Sequence, residues 1–280
     1  MSLGFYPGCS LKGSSREYNE SVLALTRFFN IELCEISDWN CCGATAAHNL
    51  NKELSLALPA RILALAEKQG LSEVLVPCAA CYSRLSTALY ELKEQNELRK
   101  RISEVIDMEL KTSVNIINII QFIEKYILPS LEGRVVKPFV HKAACYYGCL
   151  LVRPRQVLNF DREEDPQTMD AVMAKIGASP IEWAFKTECC GAGLSVSRTT
   201  SVAQLSGKIV MDATERGAEA IIVACPMCHS NLDMRRGDIN KYNGSKSSIP
   251  VLYITQAIGM ALGIDNKELG IHRHFVKVEI

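Results

Sequence analysis

Twelve cysteines carry most of the chemistry open to this 280-residue chain. Two are adjacent, Cys41 and Cys42, and stand directly before Gly43 in DWNCCGAT. The arrangement returns at Cys189 and Cys190, before Gly191, in TECCGAG. Adjacent side chains tend to diverge, so a doublet fits poorly around one tetrahedral zinc. It suits ligation of different metal atoms within one cluster.

The doublets belong to longer sets. In the first, 31 residues separate Cys9 from Cys41, and 35 separate Cys42 from the Cys78-Ala-Ala-Cys81 pair. In the second, 39 residues separate Cys149 from Cys189, and 34 separate Cys190 from Cys225-Pro-Met-Cys228. The flanks agree: FYPGC with CYYGC, CCGAT with CCGAG, VLVPCAAC with IIVACPMC. A repeat of this length marks a duplicated domain rather than a solenoid unit. Cys34 and Cys145 have no counterpart in the other half and are read as small buried hydrophobes.

Each half therefore offers five thiols. Four-thiolate zinc sites commonly use two CxxC pairs, whereas each half here has one. A thioredoxin-type dithiol would leave the doublet unused. An iron–sulfur assembly is favoured over both. Its shape does not follow from the residues, because the closely spaced triplet of a common 4Fe–4S site is missing.

The elements that must position these thiols repeat as well. LGFYPGC and KPFVHKAACYYGC read as strands entering glycine-bearing turns. SSREYNESVLALTRFFN reads as a helix, with Ser14 and Glu17 at capping-box spacing. NKELSLALPARILALAEKQG is a second helix, capped by Asn51, stopped by Gly70 and interrupted by Pro59. EVLVPC is a short buried strand and CYSRLSTALYELKEQ a helix. In the second half, TTSVAQLSGKIVMDATERG and AIIVAC repeat helix and strand, and NIINIIQFI matches VLYITQAI. Alternation of this kind predicts a parallel sheet with helices on its faces. The expected fold is two pseudo-twofold-related α/β domains, residues 1–132 and 133–280, divided in the Pro- and Gly-bearing stretch 128–138. The CxxC pairs then follow carboxyl ends of strands, where open α/β sheets place their sites. A helix starting there would favour ionised thiols.

Both cysteine sets resemble the cysteine-rich CCG domain, and over almost its full length the chain resembles the B subunit of CoB–CoM heterodisulfide reductase and its homologues. The resemblance implies two noncubane 4Fe–4S clusters with five cysteine ligands each. Cys9, Cys41, Cys42, Cys78 and Cys81 would hold one; Cys149, Cys189, Cys190, Cys225 and Cys228 the other. It implies cleavage of the coenzyme M–coenzyme B disulfide at the two facing clusters, each binding one sulfur and supplying one electron. It further implies partners: an iron–sulfur C subunit, an FAD-containing A subunit, and a hydrogenase or formate dehydrogenase. Related subunits serve other redox partners, so a noncatalytic electron-transfer role in another anaerobic complex is the alternative.

Composition narrows the rest. Basic and acidic side chains balance at 31 each, which argues against a general nucleic-acid binder. No run reaches the length of a membrane span, and the opening MSLGFYPGCS lacks an export pattern, so a cytoplasmic protein is expected. No glycine-rich dinucleotide fingerprint follows a strand, so no flavin or nicotinamide is expected in this chain. Lys12, Arg16, Arg153, Arg155, Lys186 and Arg198 lie near the motifs in sequence and are weak candidates for anion binding, with solvated surface the plainer reading. His48 and His229 are weak candidates for proton donation. HRH at 272–274 reads as surface, and residues 92–111 as a solvated or docking helix face.

Overall fold

The structure is a computed structural model that describes residues 3–44 and 47–280. Two four-stranded sheets form, all neighbours parallel. The first holds β1 (Leu3–Phe5), β2 (Leu33–Glu35), β3 (Glu73–Leu75) and β4 (Asn115–Ile117), in the order β2-β1-β3-β4. The second holds β5 (Lys142–Tyr146), β6 (Ser179–Pro180), β7 (Ala220–Val223) and β8 (Val251–Tyr253), in the order β6-β5-β7-β8. One order thus occurs twice, and the expected pair of α/β units is present. Central strands are covered on both faces: Val74, Leu75, Ala143 to Tyr146 and Ala220 to Val223 are buried throughout. That explains their uninterrupted apolar sequences.

Helix ends follow the chain's signals. Helix Lys52–Lys68 is capped by Asn51, whose side chain accepts from the Leu54 N–H at 3.0 Å. Gly70 and Gly217 take the left-handed conformation just beyond helices Lys52–Lys68 and Thr199–Glu215. Gln121 and Gln256 occupy matching sites after β4 and β8, and each accepts from a backbone N–H, of Asn118 and Tyr253, at 3.0 Å.

Three readings change. Helix Arg16–Phe28 starts at Ser15, and no capping box forms with Ser14, because Glu17 is drawn inward and accepts from the Tyr253 hydroxyl at 3.3 Å. The charged stretch 92–111 divides, one helix ending at Glu94 and the next spanning Asn96–Ile106. Of the lone cysteines, Cys145 is fully buried within β5, but Cys34 is only half-buried because β2 is an edge strand.

Helix Arg16–Phe28 joins the halves by lying against helix Ile254–Ala261 of the other one. Tyr18 stacks on Tyr253, ring centroids 3.9 Å apart, and Ser21 and Thr255 share a hydrogen bond of 2.7 Å. The Tyr18 hydroxyl donates to the carbonyls of both Pro77 and Ala224, at 3.2 and 3.3 Å. Those carbonyls immediately precede Cys78 and Cys225, so one buried side chain ties the two CxxC segments together.

Candidate metal centres

In each sheet the chain runs outward in opposite directions from its first strand, and the crevice opens at the carboxyl ends beside that reversal. Cys9 follows β1, the Cys41–Cys42 doublet follows β2, and Cys78 follows β3. Cys149, the Cys189–Cys190 doublet and Cys225 follow β5, β6 and β7 in the same way. The topology alone brings five thiols to one crevice in each half.

Two cavities result. One of about 270 Å³ is lined by Cys9, Cys41, Cys42, Cys78 and Cys81. The other, of about 230 Å³, is lined by Cys149, Cys189, Cys190, Cys225 and Cys228. Cys34 and Cys145 line neither. In the first, Cys42 and Cys81 bring their sulfurs within 3.2 Å; in the second, Cys190 and Cys228 stand 3.6 Å apart. The cavities adjoin, with Ala44, Ala80 and Met227 lining both.

Residues between the cysteines explain the local sequence. Tyr6 donates to the carbonyl of Asn40 at 2.9 Å, and Tyr146 to that of Glu188 at 2.6 Å. Each tyrosine therefore pins the backbone just before its doublet, which accounts for the repeated Y-x-G-C. Gly43 and Gly191 turn in the left-handed region and aim their N–H groups at Cys41 and Cys189, at 3.5 and 3.3 Å. A backbone donor so placed favours thiolate. Gly8 and Gly148 are also left-handed, and a methyl on Gly148 would stand 3.0 Å from the Cys228 sulfur, against 3.3 Å for Gly8 and Cys81. Gly148→Ala is therefore expected to empty the second site selectively, lowering iron per chain toward half, with Gly8→Ala milder. Iron analysis and electron paramagnetic resonance of the purified variants check this; unchanged iron in Gly148→Ala would show that the close approach is not needed.

The thiols also carry an electrostatic conflict. Cys42 is pushed down to about 3 by hydrogen bonds with Cys41 and Cys81, and Cys189 to about 6 by its hydrogen bond with Cys149. Their partners move oppositely: the hydrogen bond to Cys42 and burial raise Cys41, and that to Cys189 and burial raise Cys149. A first negative charge keeps protons on its neighbours, and five thiolates in one cavity require multivalent positive charge among them. The donor set fits an iron–sulfur centre on that ground. Cys78 and Cys225 add helix N-termini, capping helices Ala79–Glu94 and Pro226–Leu232.

The sequence-named cations fare differently. Lys186 is buried, donates to the Pro166 carbonyl at 2.9 Å, and pairs with Asp165 and Asp170 at 3.1 and 3.2 Å. Lys12 pairs with Glu35, and Arg153 with Glu164. Arg16, Arg155 and Arg198 are exposed and line neither cavity. The cations that do line the cavities are Arg235 at the first and Arg84 at the second, each from the opposite half. Sequence proximity to a motif gave no signal for a contact made across halves. Among the described residues Arg84 forms no ion pair, while Arg235 pairs with Asp238 at 3.9 Å and donates to the Ser195 carbonyl.

Of the histidines, the side chain of His48 lies outside the described residues. His229 is buried, bonded to the Val251 carbonyl at 3.1 Å, and burial drives its imidazole well below the usual range. That makes it a packed histidine, not a proton donor near neutral pH. His274 departs from the surface reading, half-buried against Gln256. His229, Asp233 and His274 gather ligand atoms within 4.8 Å, and the His274 Nδ1 is buried with no hydrogen-bond partner among the described residues. Gln256 accepts from the Tyr253 N–H, so its amide nitrogen donates to His274 Nε2 and leaves the proton on Nδ1. The Asp233 carboxylate accepts from the Phe275 and Val276 N–H groups, at 2.8 and 3.1 Å, and anchors the last segment.

The cysteine-rich domain model named CCG matches residues 3–86 and again 143–233. The chain belongs to the CCG cysteine-rich domain family. With the CCG name come relatives matching nearly end to end. The 8-methylmenaquinol:fumarate reductase membrane anchor subunit of Wolinella succinogenes is 30% identical over 97% of this chain and 96% of its own. The B subunit of the ferredoxin:CoB-CoM heterodisulfide reductase of Methanosarcina mazei is 30% identical over 98% and 94%. The B subunit of a ferredoxin/F(420)H(2)-dependent CoB-CoM heterodisulfide reductase of Methanosarcina acetivorans is 29% identical over 98% and 94%. These CCG relatives place the chain among iron–sulfur electron-transfer subunits of oxidoreductases, with partner subunits implied. Although one relative is named a membrane anchor, no helix among the described residues is long and apolar enough to cross a membrane. For the fold alone, a hypothetical protein from Helicobacter pylori superposes with a TM-score of 0.80 at 15% identity, covering 99% of this chain and 52% of that one. This chain thus spans about half the length of that structure.

Proposed function

We propose that this CCG protein reduces a disulfide at two noncubane 4Fe–4S clusters, acting as a B-type subunit on the coenzyme M–coenzyme B heterodisulfide. Cys9, Cys41, Cys42, Cys78 and Cys81 hold one cluster, and Cys149, Cys189, Cys190, Cys225 and Cys228 the other. The units fall at residues 1–132 and 133–280. The observation that carries the reading is that the two five-thiol cavities adjoin, sharing Ala44, Ala80 and Met227, with the backbone just before Cys78 and Cys225 tied together by the Tyr18 hydroxyl. A device for one-electron relay needs one such site; two sites side by side suit a substrate with two sulfurs.

In the reaction the S–S bond accepts two electrons and two protons, breaks, and leaves two thiols. When bound, the clusters supply one electron each and an iron site for each sulfur. Electrons come from a reduced iron–sulfur partner, the C subunit in a heterodisulfide reductase, itself fed by the FAD-containing A subunit with a hydrogenase or formate dehydrogenase upstream. The chain's own residues position the thiols and ease their ionisation, through the Gly43 and Gly191 N–H groups and two helix N-termini, while the charge that keeps all five ionised would come from the bound metal. The exposed thiols Cys9, Cys41 and Cys189 mark the open side of each cavity, where solvent delivers protons.

The likeness to part of a fumarate reductase favours one other reading, an electron-transfer subunit whose chemistry lies in a partner. Anaerobically purified protein, reduced by a viologen dye and given the heterodisulfide, separates the two. Turnover supports the proposal; clusters that accept electrons without consuming disulfide support the alternative.

A further inference from the structure

We propose that Met227 decides whether one ligand can reach both cysteine motifs at once, and so determines specificity for short two-sulfur ligands. The inference rests on the disulfide reading above. Among the described residues three line both cavities, Ala44, Ala80 and Met227, and they stand between them. Ala80 and Met227 are equivalent: each is the second residue inside its CxxC, in Cys78-Ala-Ala-Cys81 and Cys225-Pro-Met-Cys228. Each sits in the first turn of a helix whose N-cap is a cysteine of its own half, and faces the cavity of the other half as well. Ala44 and Ala80 end in single methyl groups and cannot alter the passage. Met227 is half-buried, unbranched and rotatable about three side-chain bonds. Among the described residues that line both cavities, Met227 is therefore the one whose side-chain length and conformation can set how far the two sites communicate. In the other half an alanine stands at that position, so the two sides are unequal.

The test uses the anaerobic, cluster-loaded full chain and needs no turnover. Cluster spectra are titrated with 1-propanethiol and with 1,3-propanedithiol. In the wild type the dithiol, able to occupy both sites, is expected to half-saturate at roughly tenfold or more lower concentration than the monothiol. Met227→Phe should abolish that advantage while monothiol titration stays within about twofold, and Met227→Leu, close in volume, should keep it. Ala80→Leu adds bulk between the cavities from the opposite side and should also abolish it, which guards against a loading defect peculiar to Met227→Phe. No dithiol advantage in the wild type would overturn the proposal, as would an undiminished advantage in an iron-replete Met227→Phe. A dithiol advantage without heterodisulfide turnover would sink the proposed reaction and leave the role of Met227 standing.

Discussion

Cys42→Ala and Cys190→Ala are each expected to lower disulfide reduction by roughly 10²-fold or more, not to halve it. Each removes a buried thiol from a different cavity. If both sulfurs of the substrate are engaged together, one site without the other cannot deliver two electrons. Groups that act as a unit show strongly non-additive losses, and the second removal should add little to the first. The comparison requires spectroscopic proof that the other cluster survives in each variant. A variant keeping about half the wild-type rate would mean that the sites work independently, and adjacency would then have no catalytic meaning.

The metal content should be as selective. Anaerobic protein is expected to hold about eight irons with matching acid-labile sulfide, two four-iron clusters. Cys149→Ser should cost about half of that iron, whereas Cys145→Ser and Cys34→Ser should stay near wild type. Cys149 lines the second cavity together with Cys189, Cys190, Cys225 and Cys228. Cys145, only four residues earlier, is enclosed within β5, opposite Ile222, and lines neither cysteine cavity. Cys34 pairs with Gly4 at the sheet edge. Burying a serine hydroxyl at 145 will lower stability by about 1–3 kcal/mol, so iron must be counted per folded chain. Iron lost in Cys145→Ser and retained in Cys149→Ser would reverse the ligand assignment. Stoichiometric zinc without sulfide would end the iron–sulfur reading. Oxygen should bleach the protein and lower its unfolding temperature, since metal binding is coupled to folding.

Most of the architecture was legible because the thiols repeat with the strands that carry them. A strand, a glycine and a cysteine recur at β1 and β5, and an apolar strand with CxxC at β3 and β7. What escaped was short or nonlocal. β2 and β6 have three and two residues, too few to show a period. The Ser14–Glu17 spacing fitted a capping box, but Tyr253, 236 residues away, claims the carboxylate. Lys186 lies three residues before the second doublet and serves Asp165 and Asp170 instead of a ligand. Arg84 and Arg235 reach the cavities only because the halves face each other, a relation no spacing within either half encodes.

The Tyr18 hydroxyl has an evolutionary reading. A tandem repeat invites the picture of an ancestral homodimer whose copies became joined. Here a single O–H serves two buried carbonyls, one from each repeat. Among the described residues no side chain of the second repeat donates to either carbonyl. Two copies of the second repeat would bury both Ala224 carbonyls without this donor, and two copies of the first would crowd two phenols into the place of one. The two repeats are therefore not interchangeable at this junction: one of them supplies the donor and both use it.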